Sequence, residues 1–106
     1  MDERVTTTSE RVLEFIDRYR GDYECGPTVR EIVRAVPIRS TSVAHYHMRG
    51  LRDQGLIDWH ELGDGTMMAR SVWVTAAGRV QCKAQRADRE RQVDEAIAEV
   101  AQRWAR

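Results

Sequence analysis

The stretch IRSTSVAHYHMRGLRDQGLI, residues 38–57, gathers the side chains of this chain best suited to chemistry. It holds hydroxyls at Ser40, Thr41 and Ser42, imidazoles at His45 and His47 on either side of the Tyr46 phenol, and guanidinium groups at Arg39, Arg49 and Arg52. Imidazoles ligate metals or move protons, hydroxyls give and take hydrogen bonds, and guanidinium groups grip anions. Metal binding fits poorly: residues two apart on a helix diverge in direction, and neither His60 nor the cysteines complete a zinc spacing. Catalysis fits no better, because no Ser/His/Asp set, phosphate-cradling glycine loop or pair of carboxylates in a cleft can be assembled. Neither an enzymatic activity nor a cofactor is expected. What remains is recognition.

Charge points the same way. The whole chain is neutral, with 17 basic and 17 acidic residues, which argues against a polycation that coats any nucleic acid. The charges are unevenly spread: residues 28–55 carry 5 basic and 2 acidic side chains, whereas residues 1–27 carry 4 and 7. A local basic face on a neutral protein suits a selective reader. Cys25 and Cys82 lack any CxxC pattern and read as reduced thiols. No run of about 18 apolar residues occurs, and MDERVTTTSER lacks an export signal's basic-then-apolar pattern, so a cytoplasmic protein without a membrane span is expected.

The elements that must position this stretch can be read from caps and periodicity. Thr7 and Glu10 form a capping box ahead of Val12, Leu13, Ile16 and Tyr19 on one face, predicting a helix over 8–20 that ends at Gly21. GDYECGP then reads as a loop. A second capping box, Thr28 with Glu31, opens a short helix with Val29, Ile32, Val33 and Val36 on its apolar side, and Pro37 must end it. A third helix over 41–54, capped by Ser40, Thr41 or Ser42, turns Ala44, His47, Met48 and Leu51 inward. Ser42, Val43, His45, Tyr46, Arg49 and Arg52 then face outward. His47 is expected at the core edge, hydrogen-bonded within the helix packing. Gly50, costing about 1 kcal/mol in a helix relative to alanine, implies a close helix crossing.

After Gly55 the period changes. LIDWHEL and RSVWVT read as two strands joined through GDGT, a β-hairpin wing on which Trp59 and Trp73 serve packing. Residues 76–106 contain no proline and one glycine, predicting one long helix. Within it Val93, Ile97, Val100 and Trp104 recur at the 4, 3, 4 spacing of a coiled-coil seam, expected to join two chains as a homodimer, with folding back onto the chain's own core as the alternative. Val80, Ala84 and Ala87 form a second stripe to lie against the preceding domain.

The expected fold is therefore mainly α with a small β-hairpin: a winged helix-turn-helix domain over 1–75 and a C-terminal helix over 76–106 as dimerisation element. In that arrangement the third helix enters the DNA major groove, with Ser42, Val43, His45 and Tyr46 at base edges. Thr28, Arg30, Arg39, Ser40, Arg49 and Arg52 would meet phosphate. The expected partner is double-stranded DNA bearing an inverted repeat, bound by a transcriptional regulator. Without a second domain to recruit polymerase, a repressor is expected. A winged-helix docking module for another protein is the alternative, favoured by the neutral charge and acidic wing.

GPTVREIV followed by IRSTSVAHYHMRGLRDQGLI also resembles the N-terminal DNA-binding domain of the LexA repressor family. Pro27, Thr28, Glu31, Ile32, Arg39, Ser40, His47, Leu51, Gly55 and Ile57 fall on matching positions, and the likeness spans roughly residues 8–75. It implies base contacts at Ser40, Ser42, Val43, His45 and Tyr46, and a wing arginine at Arg70 approaching the DNA backbone or minor groove. Pro37 stands where the family usually has glycine in the inter-helix turn, His45 and Tyr46 replace its common reading residues, and Asp64 lies on a longer wing. The family's operator is therefore not carried over. Too little chain follows residue 76 for the family's self-cleaving protease domain, so no cleavage switch is expected.

Overall fold

The computed structural model describes residues 7–104, ordered as α1 (Thr8–Tyr23), α2 (Val29–Ala35), α3 (Thr41–Asp53), β1 (Ile57–Asp58), β2 (Trp73–Val74) and α4 (Ala76–Trp104). The opening residues on which the export-signal reading rests lie largely outside the described residues. Both capping boxes form: Thr7 and Thr28 accept from the amides of Glu10 and Glu31, whose carboxylates accept from the two threonine amides. Ser40, through Oγ, caps α3 at the Val43 amide, 3.3 Å away. Among the described residues, no helix is long and apolar enough to cross a membrane.

The first helix runs past its expected end. Gly21 stays helical and the left-handed residue that closes α1 is Glu24, at φ 62°, whose amide donates to the Arg20 carbonyl. Tyr19 and Tyr23 meet with ring centres 4.5 Å apart and planes tilted by 41° across that last turn, and Arg20 donates to the Val72 carbonyl at 3.0 Å. These contacts outweigh the helix cost of one glycine.

α1, α2 and α3 enclose a core of Val12, Leu13, Ile16, Ile32, Val36, Met48 and Leu51, extended by Ile57, Trp59, Val72 and Val74 from the wing. The strands pair antiparallel, Ile57 opposite Val74 and Asp58 opposite Trp73, with a further bridge between Glu61 and Met67. Leu62 donates to Thr66 across the wing tip, and Asp64 accepts from the Thr66 amide.

Thr75 joins wing to α4. Its hydroxyl accepts from the Gly78 amide and donates to the Gly55 carbonyl at 2.6 Å, while its amide donates to the Leu56 carbonyl. α4 then packs through Gly78, Cys82 and Gln85, followed by Arg89, and Cys82 joins the core. This corrects the expected stripe: Val80 is 68% exposed, and Ala84 and Ala87 also face solvent. The seam is polar because α1 presents Glu14 and Asp17, which pair with Arg89 and Arg86. Burial pushes the Cys82 thiol up to about 11, with Asp17 and Glu14 adding to the shift.

The glycine expectation also changes place. A Cβ on Gly50 would meet nothing within 4 Å, so no helix crosses there. The close approaches are at Gly26, against the Val72 backbone, and at Gly78, against the Leu56 carbonyl and Val74.

Candidate nucleic-acid interface

α3 divides as its period requires. Ala44, Met48 and Leu51 are buried, while Thr41, Ser42, Tyr46 and Arg49 are exposed, Tyr46 to 73%. Val43, His45 and Arg52 are half-buried along the edges of that open face. Ser40 has a different job from Ser42: it is the cap, and its hydroxyl faces the first turn of its own helix. Thr41 is an addition to the expected set, because once Ser40 is the cap, Thr41 becomes the first helical residue and opens to solvent.

The two histidines part company. His47, half-buried, joins Ser9 Oγ through Nδ1 at 2.8 Å and fastens α3 to the first turn of α1. Its ring also meets Tyr46 edge-on at 5.5 Å. His60 packs on Trp73 at 5.0 Å, on the wing. No group of three or more metal-ligating side chains is assembled among the described residues.

The arginines fall into two sets. Arg30, Arg39 and Arg49 are exposed and have no ion-pair partner among the described residues. Arg52 and Arg70, expected to face phosphate, are held elsewhere. Arg52 donates to Asp58 and Glu61, both at 2.8 Å, and its guanidinium lies 4.2 Å from the centre of the Trp59 ring. It pins the end of α3 to the wing. Asp58 lies below the usual aspartate range because the Trp59 amide, and then Arg52, favour its anion.

Arg70 sits at φ 59°, in the left-handed region, and donates to Tyr19 Oη at 2.9 Å and to Glu31 at 3.2 and 3.3 Å. Its carbonyl accepts from the Gly26 amide. The base of the wing is thus tied to α1 and α2. Asp64, at the exposed wing tip, adds negative charge there.

Glu31 is the hub of this tie, accepting from the Thr28 amide, Tyr19 and Arg70. Its carboxyl lies below the usual glutamate range, chiefly through the Thr28 amide and further through Arg70. A depressed folded-state value contributes stability that is complete above the unfolded value, about 4.3, and lost as pH falls through the folded one. The urea midpoint is therefore expected to fall between about pH 5 and pH 3, and to fall less for Glu31→Gln. Equal drops for the two proteins would show that Glu31 carries none of the acid sensitivity.

The family model of the LexA DNA-binding domain matches residues 2–63. The LexA repressor of Desulfatibacillum aliphaticivorans is 40% identical over 55 residues, which cover 52% of this chain and 27% of that protein. The LexA repressor of Clostridium tetani is 42% identical over 48 residues, covering 45% and 24%. The chain thus spans about a quarter of the length of these relatives. Among solved structures, a point mutant of S. aureus MepR superposes with a TM-score of 0.72 at 16% identity, covering 90% of this chain and 66% of that one. A point mutant of Lactococcus lactis ZitR gives 0.63 at 16%, covering 97% and 64%. At that identity the likeness is one of fold, the winged helix. With the model matched over more than half of its residues, on the segment that carries both capping boxes and α3, the chain belongs to the LexA DNA-binding domain family.

Proposed function

We propose that this protein is a sequence-selective regulator of transcription that binds double-stranded DNA, reads the major groove with α3 and acts as a repressor. The observation that carries this reading is the open face of α3: Ser42, Tyr46 and Arg49 project from a helix whose other face is locked by Ala44, Met48 and Leu51. A rigid helix with hydrogen-bonding side chains at its N-terminal half and an unpaired arginine behind them suits base readout with a phosphate anchor. Ser42, Val43, His45, Tyr46 and Thr41 are the proposed readers. Ser40 acts through the cap. Arg30, Arg39 and Arg49 are the proposed phosphate contacts, with the Thr28 hydroxyl beside them, while Arg52 and Arg70 hold the wing in place. The repressor role is supported by the names of the relatives, all LexA repressors. No enzymatic step or cofactor enters this reading, and the cytoplasm is the proposed location.

Titration of a duplex carrying the DNA upstream of the protein's own gene, repeated across salt concentration, tests it. Affinity is expected to fall steeply with salt, because each neutralised phosphate releases counterions. Arg49→Ala is expected to weaken every duplex alike and to reduce the salt slope by about 1. An unchanged slope would remove Arg49 from the phosphate contacts.

A second reading has a specific observation behind it. The wing tip is acidic at Asp64 and its arginine is engaged by Glu31, while Asp58 and Glu61 share the single charge of Arg52, so the wing suits a protein partner better than phosphate. Failure to bind any duplex at low salt would favour a docking module, with the Tyr46 face as its interface.

A further inference from the structure

α4 leaves the winged body at Arg89, which grips Glu14 with bonds of 2.6 and 2.8 Å. Every described residue from Glu90 to Trp104 is exposed, and the molecule measures 67 Å in its longest direction against 28 and 24 Å in the others. This overhang carries Val93, Ile97, Val100 and Trp104, exposed to 56, 61, 48 and 83%, with Ala96 and Ala101 beside them. Among the described residues nothing in the same chain covers the strip. A lone helix of that length is marginal in water, because most helical stability in proteins comes from packing an apolar face.

We propose that the strip pairs with a second copy of this chain as a parallel, in-register, two-stranded coiled coil. The 4, 3, 4 spacing puts Val93 and Val100 at d positions, and Ile97 and Trp104 at a positions. The flanking g positions are then Arg89, Ala96 and Arg103, and the flanking e positions Asp94 and Ala101. In a parallel pair a g residue lies beside the partner's e residue five places on. That sets Arg89 near Asp94 of the partner subunit, with the Nε–H that its clasp of Glu14 does not use, and Ala96 against Ala101 of the partner subunit, one match of opposite charge and one of apolar surface.

An antiparallel overlap of the same strip brings e against e and g against g. Asp94 then faces alanine, and Ala96 faces arginine. Both contacts are mismatched, and such mismatches are how coiled coils reject a wrong orientation. Two small alanines flanking Ile97 and Val100 also widen the strip and let the helices approach closely. The pairing rests on α4 alone. If DNA binding also holds, a parallel pair carries both winged domains at one end of a twofold axis, which suits an inverted repeat.

The test uses the full chain. Sedimentation equilibrium at tens of micromolar is expected to give twice the chain mass, and Ile97→Asp, on the exposed overhang, half of that with the amide NMR shifts of the winged body, residues 8–85, unchanged. Orientation is read with Val93→Cys in a Cys25→Ser background, Cys82 being buried, with diamide as oxidant. Parallel pairing gives a Val93→Cys homodisulfide. Antiparallel pairing sets residue 93 about 16 Å from its own copy, at 1.5 Å per residue, so the disulfide would form only with added Trp104→Cys protein. A monomeric intact chain, a dimer that survives Ile97→Asp, or a disulfide confined to the mixed sample would each overturn the proposal. Binding of a single half-site duplex by Ile97→Asp, measured in parallel, keeps the DNA reading separate: it is expected to match wild type whichever way the pairing falls.

Discussion

Gly78→Ala is expected to lower the stability to unfolding by about 1–3 kcal/mol, the usual cost of forcing extra atoms into a packed site. For a domain of this size each kcal/mol moves the melting temperature by roughly 4–8 °C. The new methyl would enter the Leu56 carbonyl and Val74, and a backbone carbonyl cannot swing aside as a side-chain tip can. Relief would require α4 to lift from the ribbon, breaking the Thr75 junction. Gly50→Ala supplies the internal contrast. Its methyl meets open space within α3, so the change is expected to stabilise the protein by about 0.5–1 kcal/mol. Thermal melts of the two variants check both signs, and destabilisation by Gly50→Ala would mean that a close contact exists there after all.

The second large effect concerns α3. Tyr46→Ala and His45→Ala are each expected to cost about 1–3 kcal/mol of discrimination between the preferred duplex and a duplex altered at one base pair. Neither side chain contributes to the buried face of the helix, so the fold should be unaffected. Tyr46 is the more exposed of the two and carries a hydroxyl able to donate or accept. Competition binding between paired duplexes separates this loss from a general one. Equal weakening on both duplexes would make the residue a backbone contact.

Local signals carried much of this architecture. Two Thr-x-x-Glu boxes, Ser40 before α3 and the change of period after Gly55 foretell helix starts and the ribbon because a cap or an alternation acts within a few residues. The division of α3 into an inner and an outer face was legible for the same reason. What was not legible depended on partners distant in sequence. Arg70 and Arg52 read as free charges until folding brings Glu31 beside one and Glu61 beside the other, 39 and 9 positions away. The α1–α4 seam was hidden because its face reads Gly, Cys, Gln, Arg rather than as an apolar stripe, and Glu14, 75 positions from Arg89, is what makes it pack. Gly50 and Gly78 look alike in sequence. Only the Leu56 carbonyl over one of them tells them apart.

These particulars also bear on where the charge of the site lies. Of the arginines expected at phosphate, Arg52 and Arg70 hold the wing against α3 and α2, and the exposed Arg30, Arg39 and Arg49 remain available. On the proposed reading these are few phosphate anchors on a neutral chain, and affinity would depend more heavily on base contacts.

The most direct test of the central claim, that the open face of α3 reads sequence, is to select bound DNA from a random duplex pool with the wild-type protein and with Tyr46→Ala. Wild type is expected to enrich one motif arranged as an inverted repeat, and the variant to enrich the same motif relaxed at one position in each half. An identical motif from both proteins, or no enrichment by wild type, would contradict the assignment of α3 to the groove.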